Sequence, residues 1–171
     1  MNTKSIKMGV LLILKGLGED IHREGLRDTP DRIAKMYSRF MRDDIQQDNK
    51  TIAFTSDFDG TISIQQLPFH SLCEHHLLPF WGNVSITYKP GRGSVVGLSK
   101  IVGIVSRCAS KLQLQEELAK NIMQEMKRQS NSEDVMVTME ATHLCLLMKN
   151  NTWHNITMST VTSSGIFEAD K

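Results

Sequence analysis

The stretch Phe69-His70-Ser71-Leu72-Cys73-Glu74-His75-His76 ends with a thiol, a carboxylate and two adjacent imidazoles in four consecutive positions. Packing alone rarely calls for such a density of metal-competent groups. A second cluster, Glu140-Ala141-Thr142-His143-Leu144-Cys145, repeats the chemistry about seventy residues later. Two residues separate Cys73 from His76, so on a turn both can reach one ion, and Cys145 can add a thiolate from a distant strand. Mixed thiolate and imidazole ligation suits zinc better than copper or iron. Three protein ligands leave the fourth tetrahedral position to water, which is the layout of a catalytic zinc.

Taken singly, a cysteine is most often a small buried hydrophobe and an edge histidine is merely solvated. Their coincidence in two clusters is what points to metal. With Cys73, His76 and Cys145 as ligands, His75 and His143 remain as the acid and base that a zinc hydrolase needs. Spacing alone leaves either of them open as a ligand instead. Glu116, in Gln113-Leu114-Gln115-Glu116-Glu117, reads by composition as a surface helix residue. A carboxylate facing a ligand would nevertheless suit a guanine edge, accepting from the ring N–H and the exocyclic amine together. Lys100 lies near a helix start, where an ammonium and exposed N–H groups can hold phosphate. Cys108 reads as core, and His22, His70 and His154 have no partner cluster.

The elements that must position these groups follow from periodicity. Met8, Leu11, Leu12, Leu14 and Leu17 recur at helical intervals over Lys7 to Gly18. Asp28 or Thr29 can cap a second helix, with Pro30 in its first turn, running to about Arg42. Arg32 lies off its apolar stripe and reads as a solvated charge. Residues 43–60 form a connector. Ile62 and Ile64, then Val84, Ile86 and Tyr88, alternate with polar residues as antiparallel strands do, with the cysteine-histidine stretch at their junction. A turn at 89–93 leads to a helix capped by Ser99 and then a helix from about Gln113 to Arg128. Gln129 to Glu133 is a polar turn. A third strand at Val135, Val137 and Met139 carries His143 and Cys145, and Ile156 to Phe167 is a fourth. The class is α+β.

Length and charge bound the function. A chain of 171 residues suits one domain with a small helical appendage, divided as 1–50, helical, and 51–171, catalytic. Twenty basic residues nearly match nineteen acidic ones, so the net charge of +1 excludes a general nucleic-acid footprint. Any anionic ligand must be met by a local cluster. The apolar run Met8 to Leu14 is too short to span a bilayer and no cleavage site follows it, so no membrane role and a cytoplasmic location are expected. Three cysteines without framework spacing fit reduced thiols.

Ser71 to Phe80, Val96-Gly97-Leu98-Ser99-Lys100, Gln113 to Glu116 and Glu140 to Cys145 resemble the signature segments of the GTP cyclohydrolase I family. Arg23 to Arg32 is similar to that family's N-terminal helix entry. The resemblance runs in the family's order from about Gly18 to Phe167. It implies a tunnelling fold, a four-stranded antiparallel sheet with two helices inserted between strands 2 and 3 and preceded by N-terminal helices. It further implies a homo-oligomer, a decamer of two stacked five-membered rings with active sites between subunits. The implied reaction is attack of zinc-bound water on C8 of GTP, release of formate and rearrangement to 7,8-dihydroneopterin triphosphate. Carried over, Cys73, His76 and Cys145 match the Zn2+ ligands, and His75 and His143 the acid-base pair. Glu116 matches the guanine-reading carboxylate with Gln115 beside it, and Ser99, Lys100 and Arg32 match ribose and triphosphate contacts.

Two positions depart from the pattern. The family carries an arginine at Gly103 and another at Lys149, the latter followed by glycine instead of Asn150, and both arginines serve the triphosphate. Bidentate phosphate geometry is thereby lost. Each charge-assisted bond is worth roughly 1.5–3 kcal/mol, so binding can weaken by an order of magnitude or more. Arg107, one helical turn beyond Gly103 and two beyond Lys100, is a candidate replacement. The chain also stops soon after Phe167, earlier than the family's usual end, an expectation of altered assembly. The alternatives are a paralogue acting on a guanine nucleotide with fewer phosphates, and a pterin- or nucleotide-binding assembly protein without turnover.

Overall fold

The computed structural model describes residues 1–41, 53–91, 93–149 and 156–168. The expected helix end at Arg42, most of the connector before residue 53, Arg92 in the turn, Asn150 and His154 lie outside them. The chain divides into two compact units, Met1–Gln46 and Gln47–Lys171.

The first unit is helical. Helix α1 (Thr3–Gly16) starts earlier than its apolar period, because the Asn2 side chain accepts from Ser5 N–H and caps it. A single turn, α2 (Glu24–Arg27), precedes α3 (Thr29–Phe40), which has Pro30 in its first turn. Val10 and Leu14 of α1 and Pro30 and Ala34 of α3 are the buried residues of this pair, and Lys7 and Asp31 form an ion pair across it.

The second unit is α+β. Its main sheet is built on four long antiparallel strands: β2 (Ile62–Cys73), β3 (Pro79–Tyr88), β6 (Val135–His143) and β7 (Met158–Ser164). Two helices, α4 (Leu98–Ala109) and α5 (Gln115–Ser130), are inserted between β3 and β6. This is the arrangement expected for a tunnelling fold, with additions. A two-residue strand, β5 (Leu112–Gln113), pairs in parallel with the end of β2, so the sheet order is β5-β2-β3-β6-β7. Strands β1 (Ala53–Thr55) and β4 (Ser94–Val96) make a separate two-stranded sheet. The sequence hid all three because runs this short show no period.

Period-two alternation fixes the register. Val84, Ile86 and Tyr88 lie directly across from Met139, Val137 and Val135, and all six are fully buried. A slip of one residue would turn every one of them to the other face. Leu118, Ile122 and Met126 of α5 complete this core with Ile101, Ile104 and Val105 of α4. Each such side chain contributes roughly 1.5–3 kcal/mol on burial.

Several boundaries moved. Helix α4 starts at Leu98 with Gly97 as its cap, so Ser99 lies within the first turn. Gln113 belongs to β5 and not to α5, and α5 runs on to Ser130 before Asn131 ends it in the left-handed region at φ 50°. Cys145 leaves the strand: β6 stops at His143, and the single turn α6 (Leu144–Leu147) carries the thiol. Strand β7 ends at Ser164, followed by a 3-10 turn over Gly165–Phe167.

Candidate active site

The β2–β3 hairpin holds the first cluster. Cys73 N–H donates to Leu78 O and Leu77 N–H donates to Cys73 O, both at 2.9 Å, closing a tight loop over Glu74 to Leu77. Closure requires Leu77 at φ 56°, a conformation a branched side chain adopts at a cost. Within the loop the His75 and His76 rings stand nearly perpendicular, at 88° with centroids 6.2 Å apart. Cys73 is buried, whereas His75 and His76 are exposed.

Ligand atoms of Cys73, His76 and Cys145 all lie within 4.8 Å of one another. Among the described residues no other group of three histidine, cysteine or acidic side chains comes together in this way. Burial raises the Cys145 thiol above its ordinary range, and the neighbouring Cys73 sulfur adds to the rise, against the opposing pull of Lys149. Two thiols pressed together suit a shared cation. Tetrahedral zinc with bonds of about 2.3 Å to sulfur holds two sulfurs roughly 3.8 Å apart, which this spacing accommodates. The donor set and its geometry therefore fit the metal expected from the sequence.

The second cluster approaches from β6. His143 lies opposite Phe80 in the β3–β6 ladder, and the two rings stack with centroids 4.7 Å apart and planes within 1°. Its Nε2 is 2.9 Å from Gln115 Oε1 at the start of α5. Burial holds the imidazole below the ordinary histidine value, opposed by the Glu116 carboxylate, which favours the charged ring. Glu116 itself is exposed in the first turn of α5. The start of α5 is anchored beside the hairpin because Gln113 pairs with Cys73 and its amide donates to Ser71 Oγ at 3.1 Å and Cys108 O at 2.8 Å. Ser71 Oγ in turn donates to Ala109 O at 2.8 Å. Gln113 thus ties the first cluster and the start of α5 to the β5–β2 edge of the sheet, and a two-residue strand gave no sequence signal for it.

The remaining candidates sit as follows. Lys100 is buried on α4 at 7% exposure, with Ser99 exposed beside it. Lys149 is exposed just after α6. A Cβ added at Gly103 would meet no atom within 4 Å. The Arg107 guanidinium is committed to Glu125 at 2.7 Å, a carboxylate it shares with Arg128. In the first unit, Arg32 donates to Gly25 O at 2.8 Å and Thr29 Oγ1 at 2.7 Å.

Residues 6–171 match the family model of GTP cyclohydrolase I. The chain belongs to the GTP cyclohydrolase I family. Relatives named GTP cyclohydrolase 1 include one from Hyperthermus butylicus, 43% identical over 84% of this chain and 73% of that one. Another, from Bacillus pumilus, is 41% identical over 87% of this chain and 80% of that one. A third, from a Geobacillus strain, is 37% identical over the whole of this chain and 92% of its own. A match of this extent makes the chain an enzyme of the GTP cyclohydrolase I type, and the Cys73-His76-Cys145 cluster falls within it. No helix among the described residues is long and apolar enough to cross a membrane.

Proposed function

We propose that this member of the GTP cyclohydrolase I family opens the imidazole ring of GTP at C8 in a zinc-dependent reaction, releasing formate and yielding 7,8-dihydroneopterin triphosphate. The observation that carries the reading is the convergence of Cys73, His76 and Cys145 within 4.8 Å, with His143 two residues from Cys145. Zinc bound there supplies the Lewis acidity that makes water nucleophilic at neutral pH. Cys73, His76 and Cys145 would hold it. Glu116 accepts from the guanine N1–H and 2-amino groups, a role its exposed place at the start of α5 permits. His143, whose imidazole burial holds below its ordinary value, takes and returns a proton, and His75 is its partner. Ser99, Lys100, Lys149 and Arg32 serve the ribose and phosphates. Arg107 joins them only on release from Glu125, so Arg107→Ala raises the Michaelis constant for GTP if it does. The helical segment 1–50 and catalytic segment 51–171 belong to a cytoplasmic homo-oligomer, a decamer on the family's pattern.

Three features together favour a second reading, a paralogue acting on a guanine nucleotide with fewer phosphates. Gly103 and Lys149 stand where the family's pattern has arginines, a Cβ at Gly103 would meet no atom within 4 Å, and Arg107 is ion-paired, so the triphosphate loses guanidinium partners. Incubating the zinc-loaded protein separately with GTP, GDP and GMP while measuring formate and pterin fluorescence separates the two. Turnover of GTP supports the first reading and turnover confined to the shorter nucleotides the second. No formate from any of the three overturns both and leaves the binding protein without turnover.

A further inference from the structure

Resemblance places Gln115 against the substrate, but its surroundings assign it other work. The side chain is 1% exposed, and its amide nitrogen donates to two backbone carbonyls, Met158 O at 3.0 Å on β7 and Met139 O at 3.4 Å on β6. Carbonyl oxygens only accept, so the NH2 end of the amide must face them. Its oxygen is thereby turned to His143 Nε2, 2.9 Å away. An amide oxygen also only accepts, so the nitrogen facing it must carry a proton. None of the Gln115 polar atoms is among the buried groups that lack a partner.

We infer that Gln115 is a positioning residue for His143, fixing the proton on Nε2 so that Nδ1 is the nitrogen left to exchange protons with substrate. The inference rests on the proposed acid-base role of His143 and adds which atom performs it. Two constraints act together. The amide of Gln115 fixes the ring in its plane, and the stacked Phe80 ring, parallel within 1°, fixes its face. The carbonyls that orient the amide belong to the two strands β6 and β7, so the tautomer is set by the sheet itself. A neutral histidine with its tautomer assigned by a second hydrogen bond is a common device where one ring nitrogen must stay available.

The test reads the resting protein first. Solid-state 15N spectra of the histidine-labelled, zinc-loaded protein at about pH 8.5, two units above the ordinary histidine pKa, report which ring nitrogen carries hydrogen. The His143→Asn variant assigns the signal. The expected result is a single His143 population protonated at Nε2 and bare at Nδ1; a ring protonated at Nδ1 overturns the inference. Gln115→Met removes the acceptor at similar volume and is expected to give a mixture of tautomers. A Gln115→Met spectrum unchanged from wild type also overturns it. Kinetically, a positioning role lowers kcat in Gln115→Met about tenfold or more with little change in KM for GTP, whereas a rise in KM alone restores the substrate contact and removes the positioning role. The spectra need no turnover, so their failure is distinct from failure of the cyclohydrolase reading, which formate release tests.

Discussion

Gly82→Ala couples the sheet to the site more directly than any change at the ligands. Gly82 lies in β3 opposite Ala141 of β6, and an added methyl would sit 1.9 Å from Glu140 O and 2.8 Å from Ala141 Cα. Both obstructions are backbone, so neither can rotate away, and the paired strands must part by roughly an ångström against the close packing on their buried face. Overpacking of this kind costs about 1–3 kcal/mol, and rigid neighbours put it near the top of that range. For a chain of this size each kcal/mol lowers Tm by about 2–4 °C, giving a fall of about 6–12 °C. The Phe80–His143 pair lies two residues along the same ladder, next to the hairpin that carries Cys73 and His76. A displacement of about an ångström there costs on the order of a hundredfold in turnover. Calorimetry at fixed protein and zinc concentrations, with formate release measured alongside, checks both effects. A variant melting within a degree or two of wild type with turnover intact would refute the claim that this ladder sets the site.

Three further outcomes follow from named contacts. Burial alone would raise the Glu125 carboxyl, but its bonds to Arg128 and Gln129 and the charge of Arg107 outweigh burial and hold it below the usual carboxylate range. Its contribution, about 1–2 kcal/mol, is therefore full above the ordinary glutamate value and is lost as pH falls through its lowered one. Glu125→Gln should lower Tm at neutral pH and remove that part of the acid dependence, and an unchanged melting profile from pH 7 downward would contradict it. Leu77→Gly should relieve the left-handed conformation at φ 56° and raise stability by about 1 kcal/mol, read as a small increase in Tm. Burial pushes the Cys108 thiol up to about 11, against the charge of Arg107. At about pH 8 it should therefore resist iodoacetamide in the native protein and react once the chain is unfolded in denaturant.

Sequence carried the site further than it carried the scaffold, and the reason is physical. Cys73, His76 and Cys145 are rare donors whose types declare their chemistry at any separation, and the structure brings them together. The long strands and two inserted helices were legible because Val84, Ile86 and Tyr88, or Leu118, Ile122 and Met126, repeat the period of their element. Strand β5 was not, since Leu112 and Gln113 pair with β2 through backbone bonds and show no period. Nor was the exit of Cys145 onto a helical turn, because Leu144-Cys145-Leu146-Leu147 suits either conformation. The commitment of Arg107 to Glu125, eighteen residues ahead on another helix, and the hold of Gln115 on His143 depend on how α4, α5 and β6 pack. Such contacts are products of the fold, and spacing along the chain contains no trace of them.

The proposed chemistry depends on one coordination sphere, and the zinc-edge X-ray absorption spectrum of the purified, zinc-loaded protein reads it. Two sulfur neighbours at about 2.3 Å and lighter N/O neighbours at about 2.0–2.1 Å, four in all, are predicted, with one sulfur lost in Cys145→Ser. A protein that retains no zinc, or a spectrum without two sulfurs in wild type, would contradict it.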